Sequence, residues 1–80
     1  MSTVATNSAH VVHDANQGRW NVLLNGSFKT SDPVKSEAVK KARTALRVAG
    51  GGELLIHNLD GTIAGKDTVP PGNDPYPPKG

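Results

Sequence analysis

Eighty residues make one small domain, and without cysteine neither a disulfide nor a thiolate zinc site can staple it, so it must rely on packing or on a second copy of itself. A hydrophobic fraction of 35% with nine glycines is ordinary for a folded chain and argues against disorder in the middle of the protein. The net charge is only +2, but it is unevenly placed: residues 33–49 hold Lys35, Lys40, Lys41, Arg43 and Arg47 against Glu37 alone, which leaves the rest of the chain negative.

The opening MSTVATNSA lacks the basic region and apolar core of a signal peptide, and residues 1–8 are expected to form a flexible leader. No apolar run approaches the roughly 18 residues of a membrane helix, so the expected compartment is the cytoplasm, with no membrane partner. AHVVHD (9–14) predicts a first strand and RWNVLL (19–24) a second, joined by the turn ANQG. In the second, Trp20, Val22 and Leu24 alternate with Arg19, Asn21 and Leu23, the period-two pattern of a half-buried strand. Asn25–Gly26 predicts a tight hairpin, because both residues tolerate positive φ, and it opens a short third strand, SFKT (27–30).

Asp32 followed by Pro33 predicts a helix start, the carboxylate accepting from free backbone N–H groups and the proline filling the first helical position. Val34, Ala38, Ala42, Ala45 and Ala49, with Val39 and Leu46, then fall on one apolar stripe. Its alanines predict close approach of helix to sheet. Glycines 50–52 end the helix, and ELLIH (53–57) and TIAGK (62–66) supply two more strands around an Asp60–Gly61 turn. The expected fold is α+β: a single antiparallel sheet with one helix on one face, in the order β-β-(short β)-α-β-β over residues 9–69, followed by a Pro-rich tail, 70–80.

Catalytic signatures are missing from this pattern. None of the serines sits in a GxSxG elbow, and the glycine run follows a helix, where a phosphate-binding loop would precede one. Asp60, Asp67 and Asp74 are spread over turns and tail, where turn chemistry accounts for them. His10 and His13 are three apart on a strand and point to opposite faces, and no cysteine joins them. The histidines are expected at polar strand ends. The expectation is no enzyme, no cofactor and no metal.

Lys40, Arg43 and Arg47 lie within roughly 60° of one another around the helix and form a basic ridge able to meet phosphates. With one tryptophan, one phenylalanine and one tyrosine there is no stacking platform, so nucleic-acid binding is expected to be weak and sequence-independent. The strand–strand–strand–helix order is also similar to the small DNA-reading domain of some plant transcription factors and phage integrases, whose open sheet face carries several arginines and tryptophans. Here that face offers Arg19, Asn21 and Leu23.

A broader resemblance runs from about His10 to Gly80. HVV, RWNV, KSEAVKKA, GGELLIHNLDGTI and GNDPYPPKG, in that order, resemble the bacterial domain-of-unknown-function 2188 family, the tail and the ELLIH..DG.I segment being the specific parts. The chain departs from the family in SDPVKSEA, where a Thr–Lys-type helix entry is usual, and in Tyr76, where phenylalanine is common. Both departures suit the same fold. The resemblance implies a small bacterial or phage protein and transfers no catalytic residue.

If Trp20, Val22, Leu24, Leu54 and Ile56 face the helix, then Leu23, Leu55 and His57 face away, with Val11 and Val12 assignable either way. The second face keeps apolar area of the kind that marks an interaction surface. Three covers are available: a second protomer in a homodimer, another protein, or the chain's own tail. Pro75–Tyr76–Pro77–Pro78 favours the stiff polyproline II form, and Tyr76 is expected to fold back near Leu55. The function expected is a non-enzymatic protein-interaction module acting through the Leu23/Leu55 face or the tail. The alternative is a nucleic-acid-binding accessory protein using Lys40, Arg43 and Arg47.

Overall fold

The computed structural model describes residues 7–71. Its strands are β1 (Asn7–Asp14), β2 (Arg19–Leu24), β3 (Ser27–Asp32), β4 (Gly52–His57) and β5 (Ile63–Val69), and α1 (Lys35–Ala49) lies between β3 and β4. The first two of the three hairpins form where the turn residues require them. Asp14 Oδ1 accepts from the Asn16 and Gln17 backbone N–H groups at 3.1 and 3.2 Å, closing the β1–β2 turn. Asn25 (φ 52°) and Gly26 (φ 85°) then take the paired positive-φ conformation that matches the twist of the β2–β3 hairpin.

The sheet is mixed, in the order β3-β2-β1-β4-β5, which corrects the expected all-antiparallel arrangement. β1 pairs β2 antiparallel on one side and β4 parallel on the other, from Asn7↔Gly52 to Val11↔Ile56. The physical reason lies in counting reversals. Two hairpins bring β3 back to the direction of β1, α1 returns the chain over the sheet, and β4 must therefore run with β1 again. β5 closes the far edge antiparallel to β4.

Element boundaries also move. β1 takes in Asn7 and Ser8, which the sequence reading leaves to the leader, and β3 and β5 run on to Asp32 and Val69. The helix begins at Lys35, with Val34 as an extended cap residue that makes no side-chain cap bond. Asp32 Oδ1 does accept a hydrogen bond from the Val34 backbone N–H at 2.8 Å, but as a turn ahead of the helix. Lys41 reaches back to Asp32 at 3.0 Å and to the Ser31 carbonyl at 3.0 Å, tying α1 to the end of β3.

The three glycines after α1 have separate duties. Gly50 takes the left-handed conformation (φ 111°), and Gly51 N–H donates to Leu46 O at 2.6 Å, which satisfies the last helical turn. A Cβ on Gly51 would meet Pro71 N and Val69 O at 2.8 Å, and one on Gly52 would collide with the Asn7 carbonyl. Only hydrogen fits where the chain drops from the helix into the slot beside β1.

The core lies between α1 and one sheet face. Ala9, Val11, Trp20, Val22, Leu54 and Val69 from the sheet meet Ala38, Ala42 and Leu46 from the helix, with Leu24, Val39 and Ile56 at the margin. Val11 thus joins the core and Val12 faces away. The stripe is narrower than its spacing suggests: Val34 is 52% exposed and Ala49 is also exposed, both lying at the ends of the helix. Trp20 packs against His13, with ring centroids 4.8 Å apart, and carries the Lys35 ammonium 4.8 Å above its own ring.

Candidate interaction face

Strand alternation puts Leu23, Leu55, Val12, His10 and His57 on the face away from α1. The register aligns a row straight across all five strands: Phe28, Leu23, His10, Leu55 and Lys66. Among the described residues no element lies over this face. Leu23, Leu55 and Val12 are half-buried by their neighbours, while Phe28 and Ile63 remain 57% and 56% exposed.

A polar chain crosses the same face. Arg19 Nε donates to Asn21 Oδ1 at 3.1 Å, Asn21 Nδ2 donates to Asp14 Oδ2 at 3.2 Å, and the Arg19 guanidinium sits 5.7 Å from the centre of the Phe28 ring. The Asn21 bond, with those from the Gln17 and Asn16 amides, holds the Asp14 carboxyl below its ordinary range.

His10 and His57 meet between the central strands. His10 Nδ1 and His57 Nε2 are 2.9 Å apart, and the ring centroids are 5.1 Å apart at 28° to one another. That centroid separation is close to the N···N distance plus a full ring width, so the rings meet edge to edge. The lone-pair directions oppose each other along one line, which suits a proton between them and leaves no room for a cation. On its other side His57 Nδ1 lies 3.0 Å from the Gly61 carbonyl. Burial, and then the charge of His57, push the His10 pKa below its ordinary value of 6.5. Among the described residues no group of three or more histidine, aspartate or glutamate side chains converges as a metal site would need.

The basic ridge is largely occupied. Arg43 Nη1 contacts Asp67 Oδ2 of β5 at 2.7 Å and thereby holds the Asp67 carboxyl below its ordinary range. Lys40 pairs with Glu37 at 3.4 Å, and Arg47 is exposed in the last helical turn. Lys40 also borders an open groove of about 670 Å³ beside α1, shared with Lys29, Lys41 and the apolar Leu24 and Val48. Tyr76, with residues 72–80 of the tail, lies outside the described residues.

A family model described as "Uncharacterized protein conserved in bacteria (DUF2188)" matches residues 9–69. The chain belongs to that family. The matched span runs from Ala9 in β1 to the last residue of β5, so the family covers the helix, the sheet and both of its faces. Neither a curated protein nor a solved structure matches the chain.

Leu23, Leu55 and His57 lie on the open face, as strand alternation predicts. The meeting of His10 with His57 is not among the sequence expectations, because it depends on the parallel pairing of β1 with β4. Two signals are needed: the phase of β1, which turns His10 to the open face once Val11 joins the core, and the parallel register that sets Val11 beside Ile56 and so brings His57 next to His10.

Proposed function

We propose that this protein is a non-enzymatic interaction module of the cytoplasm that works through its uncovered sheet face, with the Pro-rich tail as its second contact. The observation that carries this reading is the row Phe28–Leu23–His10–Leu55–Lys66, three apolar side chains interrupted by His10, bounded by one cation and left without a layer over it among the described residues. A two-layer domain of this size has little core to spare, which favours a second copy of the chain as the occupant. Sedimentation across a concentration series should give a mass that rises toward the dimer, and Leu55→Lys should hold it at the monomer. A strictly monomeric protein at millimolar concentration would pass the role of cover to the tail, and Tyr76→Ala would then lower the unfolding midpoint.

The excess of cations on α1, with Lys29 added at the groove, supports a second reading as a nucleic-acid-binding accessory protein. Two of the three ridge cations already face carboxylates, so phosphate would have to displace Glu37 from Lys40 and Asp67 from Arg43. Binding on this reading is weak, independent of sequence and steeply salt-dependent. Titration of labelled duplex and single strand at two salt concentrations checks it, and sequence-selective binding would replace the interaction-module reading altogether.

A further inference from the structure

We propose that His10 and His57 form a single proton-sharing unit on the open sheet face, a pH-sensitive strap that stays closed with no added proton or with one and breaks with the second. The assignment begins at Gly61. Its carbonyl only accepts, so His57 Nδ1, 3.0 Å away, must carry a proton. In the neutral ring His57 Nε2 is then a bare acceptor, and the 2.9 Å contact requires His10 Nδ1 to donate to it. Both rings are thereby held in the Nδ1–H tautomer, opposite to the one a free histidine favours, and the chain of bonds ends in a lone pair at His10 Nε2.

Proton counting gives the switch. A first proton arriving at His10 Nε2 lets the bridging proton pass from His10 Nδ1 to His57 Nε2. Both hydrogen bonds survive with their direction across the bridge reversed, and the charge rests on His57. A second proton places N–H groups on both sides of a 2.9 Å gap, and the bridge is lost. The lowered pKa of His10, with burial as its first cause and the His57 charge as its second, is in keeping with this order.

The surroundings do not short-circuit the pair. On β1 the same face carries Val12 and Asp14, the latter engaged by Asn21. β2 contributes Leu23 directly beside His10, with Arg19 farther along and bound to Asn21. β3 adds Phe28 at the end of the row. β4 contributes Leu55 beside His10, and Glu53, which accepts from Thr68 at 3.1 Å. β5 contributes Ile63 opposite His57 and Lys66 opposite Leu55. Each carboxylate on the face has another partner, and α1 lies on the far side of the sheet with His13. The strap joins the two strands that pair in parallel at the centre of the sheet, so its loss loosens β1 from β4.

This inference concerns the rings alone and does not depend on what binds the face. Imidazole nitrogen–proton NMR spectra of the full chain, from pH 8.5 to 4.5, test it. The expected result is protonated Nδ1 on both His10 and His57 at high pH, and two coupled titration steps separated by about one pH unit or more. His57→Gln should merge the His10 response into one step at higher pH. Nε2–H on His57 at high pH would overturn the proposal. So would independent single steps at one common pH, and both results come from the wild-type spectra even if the variant does not fold.

Discussion

The face under α1 and the face opposite are made from alternate residues of the same five strands, and they are built on different terms. Under the helix, Ala9, Val11, Trp20, Val22, Leu54 and Val69 close against Ala38, Ala42 and Leu46, and among the described residues no polar or charged side chain is buried. On the open face, leucines alternate with a histidine pair, an Asp14–Asn21–Arg19 chain and a terminal Lys66. The covered face has one task, removal of apolar surface from water, and shape alone meets it. The open face keeps titratable and hydrogen-bonding groups beside its apolar row, which packing alone does not require.

The neighbouring leucines Leu54 and Leu55 put this contrast to its hardest test. Leu54 is fully buried, so Leu54→Ala should cost about 2–5 kcal/mol through lost transfer energy and the cavity left behind. Leu55 is only partly buried and paired beside His10, and Leu55→Ala should cost less, about 1–2 kcal/mol, in dilute protein. Denaturant midpoints of the two variants measure the difference directly. Equal losses would mean that the open face is covered after all, and dependence of the Leu55→Ala loss on protein concentration would identify a second copy as the cover.

How much of this was legible beforehand depends on how local each signal is. Asn25–Gly26, the alternation in RWNVLL and the alanine stripe of α1 are neighbour-scale patterns, and each produced its element. The helix start moved from Pro33 to Lys35 because Asp32 spends its oxygen on a turn and its other oxygen on Lys41, a contact from two turns along the helix. The sheet order failed for a different reason: antiparallel pairing was assumed for strands that a helix separates, although the chain reverses an even number of times between β1 and β4. That error, with the phase of β1 left open between Val11 and Val12, hid the His10–His57 pair. The ridge of Lys40, Arg43 and Arg47 is incomplete in chemistry when read from helical spacing, since Asp67 reaches Arg43 from a strand that the spacing cannot reveal.

A second contrast lies at the two ends of the covered layer, where α1 begins without a side-chain cap and ends in a dense polar knot. Asn7 Nδ2 donates to the Ala49 and Gly51 carbonyls, each at 3.0 Å, and Asn7 Oδ1 accepts from Asn25 Nδ2 at 3.0 Å. One side chain therefore ties the start of β1, the β2–β3 turn and the end of the helix together. Asn7→Ala should cost about 1–2 kcal/mol, since these bonds are partly solvated and each contributes near the lower end of the usual range. Hydrogen exchange should show the loss concentrated around residues 46–52. An even loss across the whole domain would mean that the knot does not act locally.

The smallest effect expected is also the one that separates the faces most cleanly, because it is a response to pH that the covered face has little means to give. The folded-state pKa of His10 is lowered, so the unfolded chain binds the proton more readily than the folded one. Stability from His10 is therefore fully present above its unfolded value of about 6.5 and is lost as the pH falls through the lowered folded value. The carboxyls act in another window. Asp14, held by Asn21; Asp32, held first by the Val34 amide; Asp60, held by Thr62; and Asp67, held by Arg43, are all depressed below an ordinary value near 3.8. Their contributions are present above that value and disappear only as the pH falls through their lowered ones. Urea midpoints measured between pH 7.5 and 5 thus report on the imidazoles with the aspartates still ionised, and the midpoint should drift downward. His10→Gln should flatten that drift while leaving the steeper loss below about pH 4 in place. An unchanged slope in both His10→Gln and His57→Gln would move the pH response away from the open face, and the contrast between the two faces would fail in the one property where it predicts a difference in kind.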